Sequence, residues 1–290
     1  MTEPLFDITP AAEARVFAGG VRVRVLRAGW FRPDAGASYG VVPRPLWSRF
    51  EQADEHGRIL RRLNLLLIEA GGKRILVETG TGGRITARDR DIKGVEGGDP
   101  VDALRAVGED ADGIDFVVVS HLHYDHAGGM VGTDGHPAFR NARYVVQRDE
   151  ARAARSDELR QVGIMERDQL DVVQAAGQLA EVHGDVELVE GVTVSRTGGH
   201  TRGSQAVLLD RAEANGERGI FFGDLIPTRW QLPVRWTSAY DDYPIEAVEV
   251  RQALVSRAAV DGWWCYFTHD PGELPIRIEA AEKGFAVRAE

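Results

Sequence analysis

Three histidines and one aspartate fall within six positions of the stretch Ser120-His121-Leu122-His123-Tyr124-Asp125-His126-Ala127-Gly128-Gly129. Imidazole and carboxylate are the ligands that zinc and similar divalent ions take, and a cluster this dense has no ready structural explanation. In an extended loop, side chains alternate, so His121 and His123 point the same way and can grip one ion. Asp125 and His126, at a bend, can turn toward a second. Gly128 and Gly129 allow a tight backbone path out of the loop.

Three isolated residues have matching character. His200 stands in Thr197-Gly198-Gly199-His200-Thr201, Asp224 follows the apolar stretch Ile220-Phe221-Phe222, and His269 follows Tyr266-Phe267-Thr268. Each lies just past the end of a predicted strand, where α/β folds place chemistry. With the cluster they complete a two-metal set. His56, His136 and His183 lie outside these motifs and are read as solvated or structural. No nucleophilic serine or cysteine is signalled.

Such a set must be carried by strands that end near one another. Residues 114–119 form a continuous apolar run, read as a strand covered on both faces, and lead straight into the cluster. Residues 64–69 and 74–78 read as two strands with a turn at Gly71-Gly72. Further strands are expected within 143–146, 186–196, 205–210 and 219–222. A short helix is expected at 102–107, helical patterning over 149–178 interrupted at Gly163, and an amphipathic helix at 245–260. Upstream, residues 21–26 alternate apolar and charged side chains as a half-buried strand does. The Pro-, Gly- and aromatic-rich stretch from Trp30 to Phe50 reads as an irregular covering segment. Strands and helices interleave, which predicts a layered α/β domain. Residues 1–60 are read as a covering part of the same domain as 61–290.

Composition narrows the partners. A formal charge of −10 argues against general affinity for polyanions, and Arg58, Arg61 and Arg62 read as a solvated face. The 43% hydrophobic content is enough for a substantial core. A single cysteine, Cys265, rules out an intramolecular disulfide and sits in the apolar run 263–267. Residues 1–16 lack a basic stretch followed by an apolar one, as a secretion signal would have. No apolar run approaches the roughly 18–20 residues that span a bilayer. The expectation is a soluble cytoplasmic protein acting on a small molecule, with neither nucleic acid nor membrane as partner.

From about Leu63 to His269 the pattern resembles the metallo-β-lactamase superfamily, with His-x-His-x-Asp-His as the most specific part. The resemblance implies a four-layered αβ/βα sandwich with two mixed sheets and two metals at the edge between them. It implies His121, His123 and His200 on the first ion, Asp125, His126 and His269 on the second, and Asp224 between them. The ions would most readily be zinc, although manganese, iron and cobalt accept the same ligands. One departure is visible: the family's aspartate before Thr-Gly is here Glu78, a residue that orients ligands rather than binding metal. Within the superfamily, the cluster and the stretch 39–47 resemble the lactonase and organophosphate-hydrolase branch. Well-known acyl-homoserine lactonases carry a tyrosine three residues after the bridging aspartate. Here that position is Pro227, and Tyr124 or Tyr240 would have to reach the site from elsewhere.

Two ions sharing a water would supply hydroxide near neutral pH to attack a polarised carbonyl or phosphoryl centre. Asp125 could hold that nucleophile and pass its proton to the leaving group. A lactone or ester is the favoured substrate. Thioester hydrolysis of the glyoxalase II type uses the same seven ligands, with Arg277, Lys283 and Arg288 as candidates for a cationic clamp. A mono-iron sulfur dioxygenase is the third reading. The aromatic stretch Trp230, Trp236, Tyr240 and Tyr243 either packs on the core or, with Tyr124, walls a substrate pocket. Together with Trp30, Phe31, Trp47 and Phe50 it is also a candidate homodimer contact.

Overall fold

The computed structural model describes residues 14–17, 20–157, 160, 163–210, 217–282 and 284–289. Most of the stretch read for a secretion signal, along with Lys283, lies outside the described residues. The first sheet contains β1 (Arg15–Val16), β2 (Arg22–Phe31), β3 (Arg61–Ala70), β4 (Lys73–Val77), β5 (Glu96–Gly97), β6 (Phe116–Val118), β7 (Arg143–Gln147) and β8 (Leu179–Val182). Its order is β1-β2-β3-β4-β6-β7-β8, with β5 paired to β2. Strands β4, β6, β7 and β8 run parallel and the rest antiparallel. The second sheet contains β9 (Val186–Val189), β10 (Val192–Arg196), β11 (Gln205–Leu209), β12 (Gly219–Phe221), β13 (Trp264–Tyr266), β14 (Ile276–Ala281) and β15 (Gly284–Val287), in reverse numerical order. Both sheets are mixed, since β12 and β13 are parallel.

Strand β3 shows why the layers stack. Its side chains alternate across the sheet. Leu66 and Ile68 join Val194, Val207 and Phe221 of the second sheet in one buried cluster between the sheets. Leu65 and Leu67 face the other way, onto a second cluster with Leu104, Leu170 and Val173. Burial on both faces is what a continuous apolar strand needs. The described α-helices are α1 (Ala35–Tyr39), α2 (Arg44–Trp47), α3 (Ala87–Ile92), α4 (Pro100–Arg105), α5 (Tyr124–Ala127), α6 (Arg148–Ala154), α7 (Arg167–Ala175) and α8 (Pro244–Asp261). Helices α4, α6 and α7 supply the outer layer on the first sheet, and α8 covers the second through Ala247, Val255 and Ala258. The four-layered αβ/βα sandwich expected from the sequence is the observed architecture.

Several local expectations change. Trp30 and Phe31 belong to β2, and the rest of the segment read as irregular contains α1 and α2. Helix α1 forms because the Asp34 carboxylate accepts the Ala37 N–H at 2.7 Å, an N-cap that the surrounding Pro and Gly obscure. Residues 186–196 fold as the hairpin β9–β10, turning at Gly191 with φ of 85°. Strands β8, β14 and β15 and helix α3 have no counterpart in the sequence reading. Trp30, Trp47 and Phe31 are buried within the chain, so three of the eight aromatics considered for a dimer contact are not available for one. Among the described residues, no helix is long and apolar enough to cross a membrane.

Candidate metal centre

The strand β6 ends at Val118, the chain bends at Ser120 and His121, and an extended His123 leads into the next turn. His123 caps α5, a single helical turn in which Ala127 N–H bonds back to the His123 carbonyl at 2.9 Å. That turn brings Asp125 and His126 to face His269, while the His126 ring stays 4.0 Å from that of His121. Neither Gly128 nor Gly129 needs a left-handed backbone. They are required because a Cβ at Gly129 would lie 2.3 Å from the Thr79 carbonyl oxygen, and one at Gly128 2.6 Å from that of Thr81. The loop is thereby pressed onto the end of β4. His200 follows β10, Asp224 follows β12 and His269 follows β13, so two sheets deliver seven side chains to one edge.

The converging atoms form one group at His121, His123 and His200 and another at Asp125, His126 and His269, with His121, His126 and Asp224 making a third that links them. His121 Nε2 and His200 Nε2 lie 2.9 and 3.2 Å from His123 Nδ1. In the second group, His126 Nε2 and His269 Nε2 are 3.3 Å apart, and Asp125 Oδ2 lies 3.6 and 3.4 Å from them. Asp224 stands between the groups. Its Oδ2 is 3.7 Å from His200 Nε2 and 3.4 Å from His126 Nε2, and its Oδ1 is 3.2 Å from His269 Nε2. Two nitrogens about 2.0–2.1 Å from one tetrahedral zinc would be about 3.3–3.4 Å apart, and the nitrogen–nitrogen spacings here, 2.9, 3.2 and 3.3 Å, approach that separation from below.

The outward ring atoms decide what the inward ones are. His269 Nδ1 donates to the Arg62 carbonyl oxygen at 2.8 Å, and His200 Nδ1 faces Asp241 Oδ1 at 2.8 Å. His126 Nδ1 faces Glu78 Oε1 at 3.3 Å, and His121 Nδ1 pairs with Ser120 Oγ at 2.9 Å. With the proton held on the outer nitrogen of a neutral ring, each Nε2 turns a bare lone pair inward. Bare lone pairs and carboxylates packed this closely repel one another unless a cation sits among them. Asp224 Oδ1 is also buried with no hydrogen-bond donor. The residues present fit a pair of divalent ions.

Protonation fills that need in part when no ion is bound. Burial disfavours the charged form of His269, yet Asp224 and Asp125 hold it up at about 9. Asp224, Asp125 and Glu78 likewise raise His126 against its burial. Burial and the neighbouring His200 push His123 down to about 3.

Glu78 is buried at the floor, where its Oε2 accepts the Ser120 N–H at 3.2 Å. It carries the only positive φ of a non-glycine among the described residues, 68°. Such a conformation costs about 1–3 kcal/mol and persists where surrounding contacts impose it. Here those contacts are the ligand loop and His126.

The centre opens into a cavity of about 150 Å³ bounded by Phe31, Arg61, Tyr124, Pro227, Gln231 and Tyr240. Tyr124 and Tyr240 therefore lie where a pocket reading puts them. Trp236 does not: it packs edge-on against Tyr39 and Phe50, each at 6.0 Å. Trp230 is half-buried and outside the cavity wall. Arg277 pairs with Glu217, and neither it nor Arg288 borders the cavity. Arg61, read as part of a solvated face, is buried at the cavity with both guanidinium nitrogens on the Glu51 carboxylate, which also takes the Tyr39 hydroxyl. Asp241 and Arg251 escaped the sequence reading as well. Arg251 is fully buried and donates to the Leu225 and Trp236 carbonyls at 2.5 and 2.7 Å and to Asp241 at 3.4 Å. An arginine in an amphipathic helix gives no sign of this.

A two-sheet αβ/βα sandwich with a His/Asp centre at the sheet edge defines a class of metal-binding α/β proteins. Residues 60–269 match the Metallo-beta-lactamase superfamily, and the chain belongs to it. An N-acyl homoserine lactonase from Bacillus sp is 34% identical over 111 residues, 38% of either chain. One from Bacillus thuringiensis is 31% identical over 115 residues, 39% of this chain and 40% of its own length. The chain therefore spans about two fifths of the curated relatives it matches. A Staphylococcus aureus protein described as a probable metal-dependent hydrolase shares the fold with a TM-score of 0.83 and 26% identity, over 94% of this chain and 98% of that one. AidC, a dizinc quorum-quenching lactonase, superimposes with a TM-score of 0.79 at 20% identity over 98% of this chain and 99% of its own.

Proposed function

We propose that this protein is a dinuclear metal hydrolase that opens a lactone or cleaves a related small-molecule ester. The observation that carries the reading is the convergence of His121, His123, His200, Asp125, His126, His269 and Asp224, with the outer ring nitrogens of His121, His200 and His269 already hydrogen-bonded. His121, His123 and His200 would hold one ion, Asp125, His126 and His269 the other, and Asp224 both; zinc is the ion expected. Two such ions supply a low-pKa shared water and Lewis-acid polarisation of the scissile carbonyl. The chain does the rest. Asp125 reaches the cavity and can take a proton from the nucleophile and return it to the leaving oxygen. Tyr240, whose hydroxyl is pushed up to about 12 by burial and by Asp125, stays a hydrogen-bond donor at neutral pH. Phe31, Tyr124 and Pro227 give the wall an apolar character suited to the hydrocarbon part of a substrate.

The lactone preference is supported by the N-acyl homoserine lactonases among the relatives. The test is metal analysis of the purified protein, followed by a screen of lactones, arylesters, phosphotriesters and S-lactoylglutathione. Two divalent ions per chain and fastest turnover of a lactone are expected. A single iron with no hydrolysis would sink the reading, and S-lactoylglutathione as the best substrate would replace lactone by thioester.

A further inference from the structure

Glu150 lies in the first turn of α6, away from the cavity, and is 1% exposed. A carboxylate so buried must have its oxygens satisfied. Its Oε1 accepts the Leu122 N–H at 2.9 Å, and its Oε2 accepts the Thr201 hydroxyl at 2.7 Å and the Gly203 N–H at 2.9 Å. None of these three partners is a cation.

Where those partners sit gives the contact its meaning. Leu122 separates His121 from His123, and Thr201 follows His200. The first loop leaves β6 of one sheet and the second leaves β10 of the other, and no strand pairing joins those two sheets. One carboxylate thus ties together the loops that present the three nitrogens of the first ligand group. Its surroundings are built for the task. The Leu122 carbonyl accepts the Glu166 N–H at 2.8 Å, so the peptide between the two histidines is held on both sides. A Cβ at Gly203 would lie 2.2 Å from the Glu150 backbone nitrogen, so only glycine lets the His200 loop come this close. The Thr201 hydroxyl also meets Ser204 Oγ at 2.7 Å, which closes the loop on itself.

We infer that Glu150 is a positioning residue that sets the separation of His200 from the His121–His123 pair, and through it the affinity for the first ion. The inference rests on reading that group as a metal site. A Glu150→Gln side chain fills the same space but turns an NH2 group toward N–H and O–H donors, so one loop must retreat.

The experiment strips the metal and measures zinc affinities by chelator competition, alongside the thermal midpoint of the metal-free protein. A His269→Ala background, in which the first group alone stays complete, identifies which ion is affected. Glu150→Gln is expected to weaken the first ion by about 10–100-fold, the range for residues that orient metal ligands, and the second much less. Thr201→Val removes one of the three donors. It should shift the same affinity in the same direction by a smaller factor, and it carries the test if Glu150→Gln fails to fold. Unchanged zinc affinities beside a lowered metal-free midpoint would mark Glu150 as structural support only and overturn the inference, as would equal losses at both sites. A wild-type protein that binds no pair of zinc ions would instead overturn the proposed function.

Discussion

At the scale of single residues, the centre depends on which nitrogen of each imidazole carries the proton. Arg62 offers His269 a carbonyl and Asp241 offers His200 a carboxylate, so both rings are oriented before any ion arrives. Asp224→Ala should leave fewer than two ions per chain. Loss of a Lewis acid worth several kcal/mol lowers kcat/KM by on the order of 10³-fold; full hydrolysis by that variant would refute an Asp224 bridge. Tyr240→Phe should lower kcat/KM by about 10-fold, the worth of one neutral hydrogen bond. Because the Tyr240 hydroxyl titrates near 12, this variant should leave the pH–rate profile between pH 6 and 10 unchanged in shape. A basic limb that vanishes in Tyr240→Phe would contradict that.

At the scale of elements, the ligands are held by close backbone approach and by buried charge. Gly129→Ala sets a Cβ against the Thr79 carbonyl and Pro100, and overpacking of this kind costs about 1–3 kcal/mol. Urea denaturation should register it. Arg251, anchored in α8, braces Asp241 and hence His200. Arg251→Met leaves a buried carboxylate and two carbonyls without their donor and should destabilise by about 3–5 kcal/mol. The same variant should weaken zinc, which separates bracing of the site from simple loss of packing.

For the whole molecule, binding of ions adds to stability by mass action. An ion at about 1,000 times its Kd contributes about 4 kcal/mol, on the order of 10 °C in Tm for a chain of this size. Treatment with a chelator should lower Tm by that order, and a midpoint indifferent to metal would count against a centre that joins the two sheets. The proton balance has a definite sign. The Asp224 and Asp125 carboxylates hold His269 up at about 9, so at pH 7–8 it is protonated and zinc must displace that proton. Zinc affinity should therefore fall as pH falls below about 9. Calorimetry in buffers of different ionisation enthalpy should show proton release at pH 7.5 and less of it at pH 10.

The sequence by itself determined the class of the fold and which residue types could gather at a metal site. Clustered His and Asp residues have few roles besides metal binding, and each isolated ligand follows an apolar strand that is recognisable on its own. Strands buried on both faces, such as β3 and β6, are legible for the same reason: their apolar runs are local. Only the tertiary structure decided which residues support and surround the centre. Glu150, Asp241, Arg251 and Arg61 are charged side chains on or beside helices and strands, and a sequence treats such residues as solvent-facing. Their burial depends on partners far along the chain: Asp241 meets His200 across 41 positions, and Glu150 meets Thr201 across 51. The same distance hid the difference between Tyr240, which borders the cavity, and Trp236, which packs on Tyr39. Periodicity reports which face of an element is apolar; what that face meets is set by how the sheets and their loops come together.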